Sequence, residues 1–294
     1  MSGTPAAEVM VDAPLVQDLL EEQHPDLAAH TIELLDVGWD NFMFRLGKTM
    51  TVRLPRREMA ASLIANEQDW LPSLARSLPI PISAPLRTGN PSEAYPWKWS
   101  VLPWFNGAPA NENPPMNGEA VRLAYFLRAL HQDAPTSAPV NVHRGKALSE
   151  KSDAVSVRLS NVQSMTAGFD SVLKAVWFRS LNAKSSSNIC WLHGDLHARN
   201  ILVDSGKISA IIDWGDITSG DVATDLASIW ALFEDADARA MALESYGADA
   251  DEIARAKGWA IVFGSILLDT GLVDNPRHAK MGIDTLRRVA EDTK

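Results

Sequence analysis

Residues 191–203 read WLHGDLHARNILV, and residues 208–216 read ISAIIDWGD. The apolar runs in these stretches predict short buried strands, with a polar loop between the first two runs. Asp195 and Asn200 lie five residues apart on that loop, so their side chains can face one site. Asp213 follows the last apolar run, and a hairpin can return it beside Asn200.

These three oxygen-bearing side chains suit one kind of chemistry. Transfer of a phosphoryl group requires metal ions that neutralise the phosphates and a carboxylate that orients the attacking hydroxyl. Hard oxygen ligands suit Mg²⁺. The pattern therefore predicts that one Asp handles the hydroxyl while Asn200 and Asp213 hold metal. The alternative is a chance cluster of polar residues in a hairpin loop.

A third stretch, GDVATDLA at residues 220–227, completes a family pattern. Together the three stretches resemble the aminoglycoside phosphotransferase family, which shares its fold with protein kinases. The resemblance implies that Asp195 is the catalytic base, that Asn200 and Asp213 bind Mg²⁺, and that ATP or GTP is the co-substrate.

The same resemblance implies supporting roles for nearby residues. His193 would be a structural member of the loop. Asp225 would lie at a helix start, where its carboxylate accepts hydrogen bonds from the catalytic loop or caps the helix. His197 matches no fixed role in the family and is expected to be an ordinary loop residue.

The N-terminal part matches the family less closely. Kinase-like folds carry a Lys on the third strand, paired with a Glu on the next helix; here the candidates are Arg53 and Glu67. Arg can bind phosphate through two donors, so the function is retained in principle. The alternative is an ordinary exposed cation and a solvated acid. Gly38-Trp39-Asp40-Asn41 takes the place of the glycine-rich phosphate-covering turn, and this departure argues against a protein kinase.

Trp104 and Phe105 precede a segment rich in Asn, Pro and Gly, residues 106–115, which is the predicted hinge between two lobes. The two aromatic side chains could enclose a purine of the nucleotide. They could equally be packing residues of the hinge.

The remaining pattern predicts an α+β protein with a two-lobed, protein-kinase-like fold. Residues 1–105 form the small strand-rich, nucleotide-binding N-terminal lobe, and residues 106–294 form the larger, mostly helical, catalytic and substrate-binding C-terminal lobe. The predicted helices are 14–23, 57–75 and 117–132, two more before 184, and everything after Asp221. The predicted strands are 31–37, 42–46, 49–54, 97–105, 189–192, 201–203 and 207–212.

Composition restricts the class of protein further. The net charge is −10, and residues 195–294 contain 18 Asp and Glu against 10 Lys and Arg. Such a surface repels nucleic acid and anionic membranes. The single cysteine, Cys190, excludes an intrachain disulfide and is expected to pack in the core. No secretory signal is recognised, and the apolar run 258–268 is shorter than a bilayer span. These observations predict a cytoplasmic protein.

The acceptor is the least determined part of the prediction. Between residues 231 and 254 seven acids oppose Arg239 alone, and the family resemblance places substrate-binding acids in this region, so a cationic, aminoglycoside-like acceptor is expected first. The acids could instead be solvated helix faces. A macrolide, sugar, amino alcohol or other metabolite is the second expectation. A catalytically inactive nucleotide-binding module is the alternative from another class.

Overall fold

The computed structural model describes residues 6–38 and 40–292. Trp39, in the predicted phosphate-covering turn, lies outside the described residues. The chain divides into two compact units. The first contains the chain up to Ser77 together with 81–106 and 213–215, and the second contains 78–80, 107–212 and the chain from Asp216 onward.

The first unit is built on an antiparallel sheet of five strands, in the order β1-β2-β3-β5-β4. Apolar side chains from helix α1 and from the sheet form one buried cluster that includes Leu20, Phe44 and Val52. The elements are α1 (Ala13–Gln23), β1 (Ile32–Val37), β2 (Asn41–Leu46), β3 (Met50–Pro55), α2 (Glu58–Leu74), β4 (Arg87–Gly89) and β5 (Trp99–Pro103).

Strand β3 lies in the middle of this sheet and is buried from Thr51 onward. Its Arg53 is paired with Met43 of β2 on one side and with Ser100 of β5 on the other. Helix α2 is tied to β5 because Gln68 donates a hydrogen bond to the carbonyl oxygen of Trp99 at 2.7 Å. The backbone at position 53 is therefore fixed between two neighbouring strands, in a sheet to which α2 is hydrogen-bonded.

The second unit is mostly helical and contains two small sheets, β7 with β10 and β6-β8-β9. The helices and strands predicted from sequence are present, with shifted ends, and β4, β6, β10 and an additional short helix were not predicted. The elements are β6 (Ala108–Pro109), α3 (Glu119–Leu130), α4 (Ser152–Asn161), α5 (Gln163–Thr166), α6 (Asp170–Asn182), β7 (Cys190–Leu192), β8 (Ile201–Asp204), β9 (Lys207–Ile211), β10 (Thr218–Gly220), α7 (Ala223–Leu226), α8 (Ser228–Leu232), α9 (Ala236–Tyr246), α10 (Ala250–Asp274) and α11 (Pro276–Glu291).

The segment 106–115 is more structured than a linker. Ala108 and Pro109 form strand β6, which pairs with Val203 and Leu202 of β8. Ala110 continues this contact by donating its backbone N–H to the carbonyl oxygen of Ile201 at 2.9 Å. Residues 107–115 belong to the second unit, and the hinge inferred from the Asn, Pro and Gly content stays a prediction.

Helix α10 contains the apolar run 258–268, and the run is only part of it. By length and composition, the whole 25-residue helix is apolar enough to cross a membrane, and its most apolar window is 56% buried in the structure. The run 258–268 is therefore shorter than the helix that contains it, and the expectation that it is too short to span a bilayer is wrong for the helix as a whole. Burial against neighbouring helices accounts for the apolar composition, as in the core helix of a globular domain.

Gly282 of α11 allows α11 to approach α10 closely, since a Cβ there would lie 2.4 Å from the backbone nitrogen of Leu268 on α10.

Several acids of the region 231–254 begin helices. Asp235 accepts a hydrogen bond from the N–H of Ala238 at 2.9 Å and caps α9. Asp249 and Glu252 form a capping box at the start of α10. Carboxylates at helix N-termini satisfy free backbone N–H groups and interact favourably with the helix dipole. Part of the predicted acidic surface therefore has a structural function.

Candidate active site

The loop after β7 is held from within by His193, which is fully buried. Its Nδ1 accepts a hydrogen bond from the backbone N–H of Asp195 at 3.2 Å, and its Nε2 is 3.0 Å from the carbonyl oxygen of Ile212. The first contact makes Nδ1 the acceptor, so Nε2 carries the proton and donates. His193 is thus a structural member of the loop, as the resemblance implied.

Asp225 fixes the start of the same loop from α7. Its two carboxylate oxygens accept hydrogen bonds from the backbone N–H groups of His193, at 2.7 Å, and Gly194, at 2.9 Å. Gly194 has a φ of +86°, and a Cβ there would lie 2.4 Å from the carbonyl oxygen of Asp216. The turn therefore requires glycine. The expectation that Asp225 accepts hydrogen bonds from the catalytic loop is confirmed.

The side chain of Asp195 is 23% exposed and is contacted on both oxygens. Arg144 Nη2 donates to Oδ1 at 2.8 Å, and His197 Nε2 lies 3.4 Å from Oδ2. Burial alone would raise the pKa of the Asp195 carboxyl, but the neighbouring His197 and Arg144 hold it below its ordinary value. The carboxylate is therefore ionised at neutral pH and partly open to solvent.

Arg144 was not identified from the sequence. It lies 51 residues before Asp195, in a loop between α3 and α4 that carries no recognised motif. A pairing across that separation depends on tertiary structure, and no local spacing indicates it. His197, expected to be an ordinary loop residue, also contacts Asp195 and accepts a hydrogen bond from the N–H of Arg199 at 3.2 Å.

Asn200 ends a short 3₁₀ turn that spans Ala198–Asn200. Its side-chain Nδ2 donates to the backbone carbonyl of Asp195 at 2.9 Å, and its own carbonyl accepts from the N–H of Ile212 at 2.9 Å. The amide oxygen receives no hydrogen bond from the described residues. That oxygen is available to a hard cation, and Asp195 and Asn200 are brought together as the spacing predicted.

Asp216 is a second carboxylate near Asp195. Its Oδ1 accepts a hydrogen bond from Nδ2 of Asn141 at 2.6 Å. Burial raises the pKa of the Asp216 carboxyl, and the negative charge of Asp195 raises it further. Two acids with unequal surroundings therefore lie close together in the second unit, and Asp195 is the one whose ionised form is favoured.

The first unit brings together Arg53, Glu67 and Asp213. Arg53 forms a buried, hydrogen-bonded ion pair with Glu67, and its Nη1 lies 3.9 Å from Oδ1 of Asp213. Burial would lower the pKa of Arg53, but the two carboxylates raise it above its ordinary value. The predicted pairing of Arg53 with Glu67 is present, so the alternative of an exposed cation and a solvated acid is wrong.

Asp213 differs from its partners in exposure and conformation. Its side chain is 61% exposed, and its φ of +60° is in the left-handed region that non-glycine residues rarely adopt. Such conformations persist where the surrounding structure imposes them, often at functional sites. The carboxylate is thus accessible to a metal ion.

The described residues of the predicted phosphate-covering turn are held by two arginines. Arg56 Nη1 donates to the carbonyl oxygen of Gly38 at 2.9 Å, and Arg57 forms an ion pair with Asp40. These two contacts hold the described residues Gly38 and Asp40 on either side of position 39.

Trp104 is occupied on one side. The guanidinium of Arg45 stacks over its ring at 3.7 Å from the centroid, and the Trp104 side chain is otherwise partly exposed. Cation–π stacking of this kind stabilises a fixed ring orientation. With Arg45 in this position, a purine can stack only on the opposite face of Trp104. Phe105 is half-buried.

A cavity of about 320 Å³ lies in the second unit beside the catalytic loop. It is lined by Ala198 of the loop, by the segment 110–114 and by residues of α8 and α11. Arg288 lines it, is 9% exposed, and donates from Nη1 to the carbonyl oxygen of Ala231 at 2.9 Å. No carboxylate in the described ranges forms an ion pair with Arg288, and burial lowers its pKa.

The acids that line this cavity already have cationic partners. Glu112 pairs with Arg277 at 2.9 Å, Asp284 with Lys280 at 2.7 Å, and Glu234 with Arg287 at 3.6 Å. The cavity therefore presents a buried guanidinium together with neutralised carboxylates.

Within the described residues, no group of three or more His, Cys, Asp and Glu side chains is arranged to hold a metal. Mg²⁺ does not require such a cage, because it usually keeps several waters and binds one or two carboxylates plus substrate phosphates. The accessible carboxylate of Asp213 and the available amide oxygen of Asn200 are suitable donors.

Two features define the class of kinase-like proteins. One is a cation on a central strand, Arg53, paired with an acid on the next helix, Glu67. The other is a loop that carries Asp195 and Asn200 and precedes a hairpin. The model of the phosphotransferase enzyme family matches residues 31–259, and the chain belongs to this family. It is an enzyme that transfers a phosphoryl group to an alcohol group of its acceptor. The predicted family and fold class are confirmed.

Solved structures share the fold over nearly the whole chain. The GDP complex of wild-type aminoglycoside 2′-phosphotransferase-IIIa is 16% identical and has a TM-score of 0.67; the match covers 97% of this chain and 100% of the other. The macrolide 2′-phosphotransferase of Brachybacterium faecium, as the apoenzyme, is 22% identical with a TM-score of 0.62, and covers 92% and 97%. No curated protein sequence matches the chain significantly.

Proposed function

We propose that the enzyme transfers the γ-phosphoryl group of ATP or GTP to a hydroxyl of an aminoglycoside-like acceptor. The observation that carries the proposal is the state of Asp195, an ionised and partly exposed carboxylate on a loop fixed by His193 and Asp225. A carboxylate in this state can accept a hydrogen bond from the acceptor hydroxyl and orient it.

The reaction needs one proton acceptor. As the hydroxyl oxygen bonds to the γ-phosphorus, the bond from that phosphorus to the bridging oxygen breaks, and nucleoside diphosphate leaves. The hydroxyl proton passes to Asp195. Arg53, kept charged by Glu67, is the proposed contact of the nucleotide phosphates. Two of the solved relatives hold GDP and ADP, which supports a nucleotide co-substrate.

Mg²⁺ is part of the proposal. Asn200 and Asp213 are its predicted ligands, because one offers an unengaged amide oxygen and the other an exposed carboxylate. When bound, Mg²⁺ would neutralise negative charge on the phosphate oxygens. The assignment of residues 1–105 to nucleotide binding and of 106–294 to catalysis and acceptor binding stays a prediction. A cytoplasmic location, and the absence of nucleic-acid and membrane partners, also stay predictions.

The first proposed acceptor is cationic. The excess of acids after residue 194 supports it, and so do solved relatives described as complexes with kanamycin and with gentamicin. The helix caps at Asp235 and Asp249 reduce the number of acids available for this purpose.

A second acceptor class is favoured by one observation, the buried Arg288 at the cavity beside the catalytic loop. A buried guanidinium that donates to the backbone carbonyls of Trp230 and Ala231 suits an acceptor that presents carbonyl, hydroxyl or carboxylate oxygens. A macrolide or another oxygen-rich metabolite would fit this chemistry.

An acceptor screen decides between these classes. Release of nucleoside diphosphate is measured with ATP and GTP in parallel against kanamycin, gentamicin, a macrolide, neutral sugars and amino alcohols, with Asp195→Ala as the blank. Release with an aminoglycoside supports the first proposal, and release only with neutral or anionic acceptors supports the second. If the wild type binds Mg²⁺-nucleotide but releases no more nucleoside diphosphate than Asp195→Ala with any acceptor, the protein is an inactive nucleotide-binding module.

A further inference from the structure

We propose that Arg144 is a positioning residue for the phosphoryl transfer, which holds the Asp195 carboxylate in place through Oδ1. The inference rests on the proposed role of Asp195 as the base. It follows from the hydrogen bond of 2.8 Å between Arg144 Nη2 and Asp195 Oδ1, and from the way the chain fixes Arg144.

The segment 139–145, which carries Arg144, is anchored to strand β10. The backbone N–H of Ser219 donates to the carbonyl oxygen of Pro139 at 3.0 Å, and the N–H of Asn141 donates to Oγ1 of Thr218 at 2.8 Å. Gly145 packs so closely on β10 that a Cβ at Gly220 would lie 2.5 Å from its carbonyl oxygen. Both ends of the segment are therefore anchored to the same strand.

Asn141 organises the turn that presents the arginine. Its Oδ1 accepts hydrogen bonds from the N–H groups of His143, at 2.7 Å, and Arg144, at 3.2 Å. Its Nδ2 donates to Asp216 at 2.6 Å. Asx turns of this type fix the backbone locally. One short segment therefore contacts Asp216 through Asn141 and Asp195 through Arg144.

The guanidinium itself is also confined. The Arg144 side chain is 19% exposed, and its guanidinium carbon lies 4.9 Å from the ring centroid of Phe263 on α10. A planar guanidinium stacked on a ring and bonded to a carboxylate has little rotational freedom. The charge also offsets the repulsion between Asp195 and the nearby Asp216.

The consequence for the reaction concerns the two oxygens of Asp195. With Arg144 on Oδ1, the acceptor hydroxyl would meet Oδ2, the oxygen that His197 Nε2 approaches at 3.4 Å, in a defined orientation. Catalysis depends steeply on such orientation, and a misplacement of about 1 Å can lower a rate by about 10²-fold. Loss of Arg144 should therefore act on kcat, since the hydrogen bond of its guanidinium goes to the proposed base.

Kinetics of Arg144→Ala and Arg144→Lys test this expectation, with the best acceptor from the screen. Arg144→Ala should lower kcat by about 10- to 10²-fold, while the KM for nucleotide changes by less than about threefold. Arg144→Lys should recover part of the loss, because Lys retains the charge without the planar fork. Arg179→Ala, at an exposed arginine of α6 without an ion pair in the described ranges, is the matched control and should behave as wild type.

A double-mutant cycle with Asp195→Asn separates action through Asp195 from independent action. If Arg144 works by holding Asp195, Arg144→Ala should cost little further turnover in the Asp195→Asn background, since residues that act as a unit are not additive. Full additivity of the two losses would overturn the proposal. Equal loss of nucleotide affinity and kcat in an Arg144→Ala protein that unfolds at the wild-type temperature would also overturn it, since a residue that acts through Asp195 should not affect nucleotide binding.

The same four proteins compared by thermal unfolding give a readout that needs no acceptor. The double variant should lose less midpoint temperature than the sum of the single variants, because Arg144→Ala alone leaves Asp195 without its cationic partner. An additive result means that Arg144 does not hold Asp195, whatever the screen yields. If the losses of unfolding temperature are not additive but the wild type turns over no acceptor, the ion pair between Arg144 and Asp195 is supported. The proposed activity is then overturned instead.

Discussion

Asp195 and Asp213 are both carboxylates, and their surroundings differ. Asp195 has both oxygens contacted by cationic or imidazole side chains and lies in the second unit. Asp213 is mostly exposed, adopts a left-handed backbone conformation and faces Arg53 in the first unit. These surroundings suit a base that touches the acceptor in one case and a ligand of a solvated cation in the other.

Mutation should therefore separate chemistry from nucleotide binding. Asp195→Ala should lose about 10²–10⁴ in turnover, roughly 3–5.5 kcal/mol of barrier, while Mg²⁺-nucleotide affinity stays within a few-fold. Asp213→Ala should lose turnover and also the part of the affinity that depends on Mg²⁺. Calorimetric titration with and without Mg²⁺, beside a turnover assay, measures both. Full turnover in Asp195→Ala would show that another group is the base.

Arg53 should act on the nucleotide. Arg53→Ala should raise the KM for nucleotide and lower kcat, and Arg53→Lys should retain more activity because a positive charge remains. Arg76→Ala, at an exposed arginine after α2, is the control. Removal of a charge from a buried pair also destabilises the fold, so each variant is first checked by thermal unfolding. Unchanged nucleotide kinetics in a folded Arg53→Ala protein would assign phosphate binding to a different residue.

At the scale of elements, the close approach of α10 and α11 depends on glycine. A Cβ at Gly282 would lie 2.4 Å from one backbone atom of α10 and 2.6 Å from another. Backbone atoms cannot rotate out of the way as a side chain can, so the helices themselves must separate.

Gly282→Ala should therefore lower the free energy of unfolding by about 1–3 kcal/mol, the usual range for overpacking. Denaturant titration measures the change. Gly168→Ala is the matched control, because no atom lies within 4 Å of its added Cβ and its φ is not positive. Equal stability of the two variants would mean that the helices separate at no cost.

The capping box of α10 gives a prediction about the acidic region. Asp249→Ala should cost about 1 kcal/mol of unfolding free energy through the lost cap, and should leave the KM for the acceptor unchanged. Unfolding and acceptor kinetics are measured on the same preparation. If Asp249→Ala raises the KM for the acceptor tenfold and leaves stability unchanged, Asp249 binds substrate, as the sequence suggested.

The elements also show what a sequence can indicate. Apolar runs predicted strands β7, β8 and β9, and fixed spacing brought Asp195 and Asn200 together, because both signals are local. Arg144 joins Asp195 through a tertiary contact, and β10 reads Thr-Ser-Gly and contains no apolar run, so neither has a local signal. Asp235 and Asp249 were counted as surface charge because composition does not distinguish a helix cap from a solvated acid.

At the scale of the whole molecule, the net charge of −10 should attract a polycationic acceptor. If a polycationic acceptor is used, kcat/KM should fall steeply as salt is raised, because exposed charges are screened within about 8 Å at physiological ionic strength. A neutral acceptor assayed in parallel gives the control slope. If kcat/KM falls equally with salt for the two acceptors, long-range electrostatic attraction does not contribute to specificity.

Cys190 allows the local opening of strand β7 to be measured. It is the single thiol of the chain, it is buried in β7 directly before the catalytic loop, and burial raises its pKa. A thiol in that condition reacts with an alkylating reagent chiefly when the strand opens, so the alkylation rate measures the opening equilibrium of the element that carries Asp195. Mass spectrometry can follow this rate in the unmodified enzyme, without an introduced probe. A nucleotide or acceptor that binds the closed form should slow alkylation in proportion to its occupancy, even before a product is known.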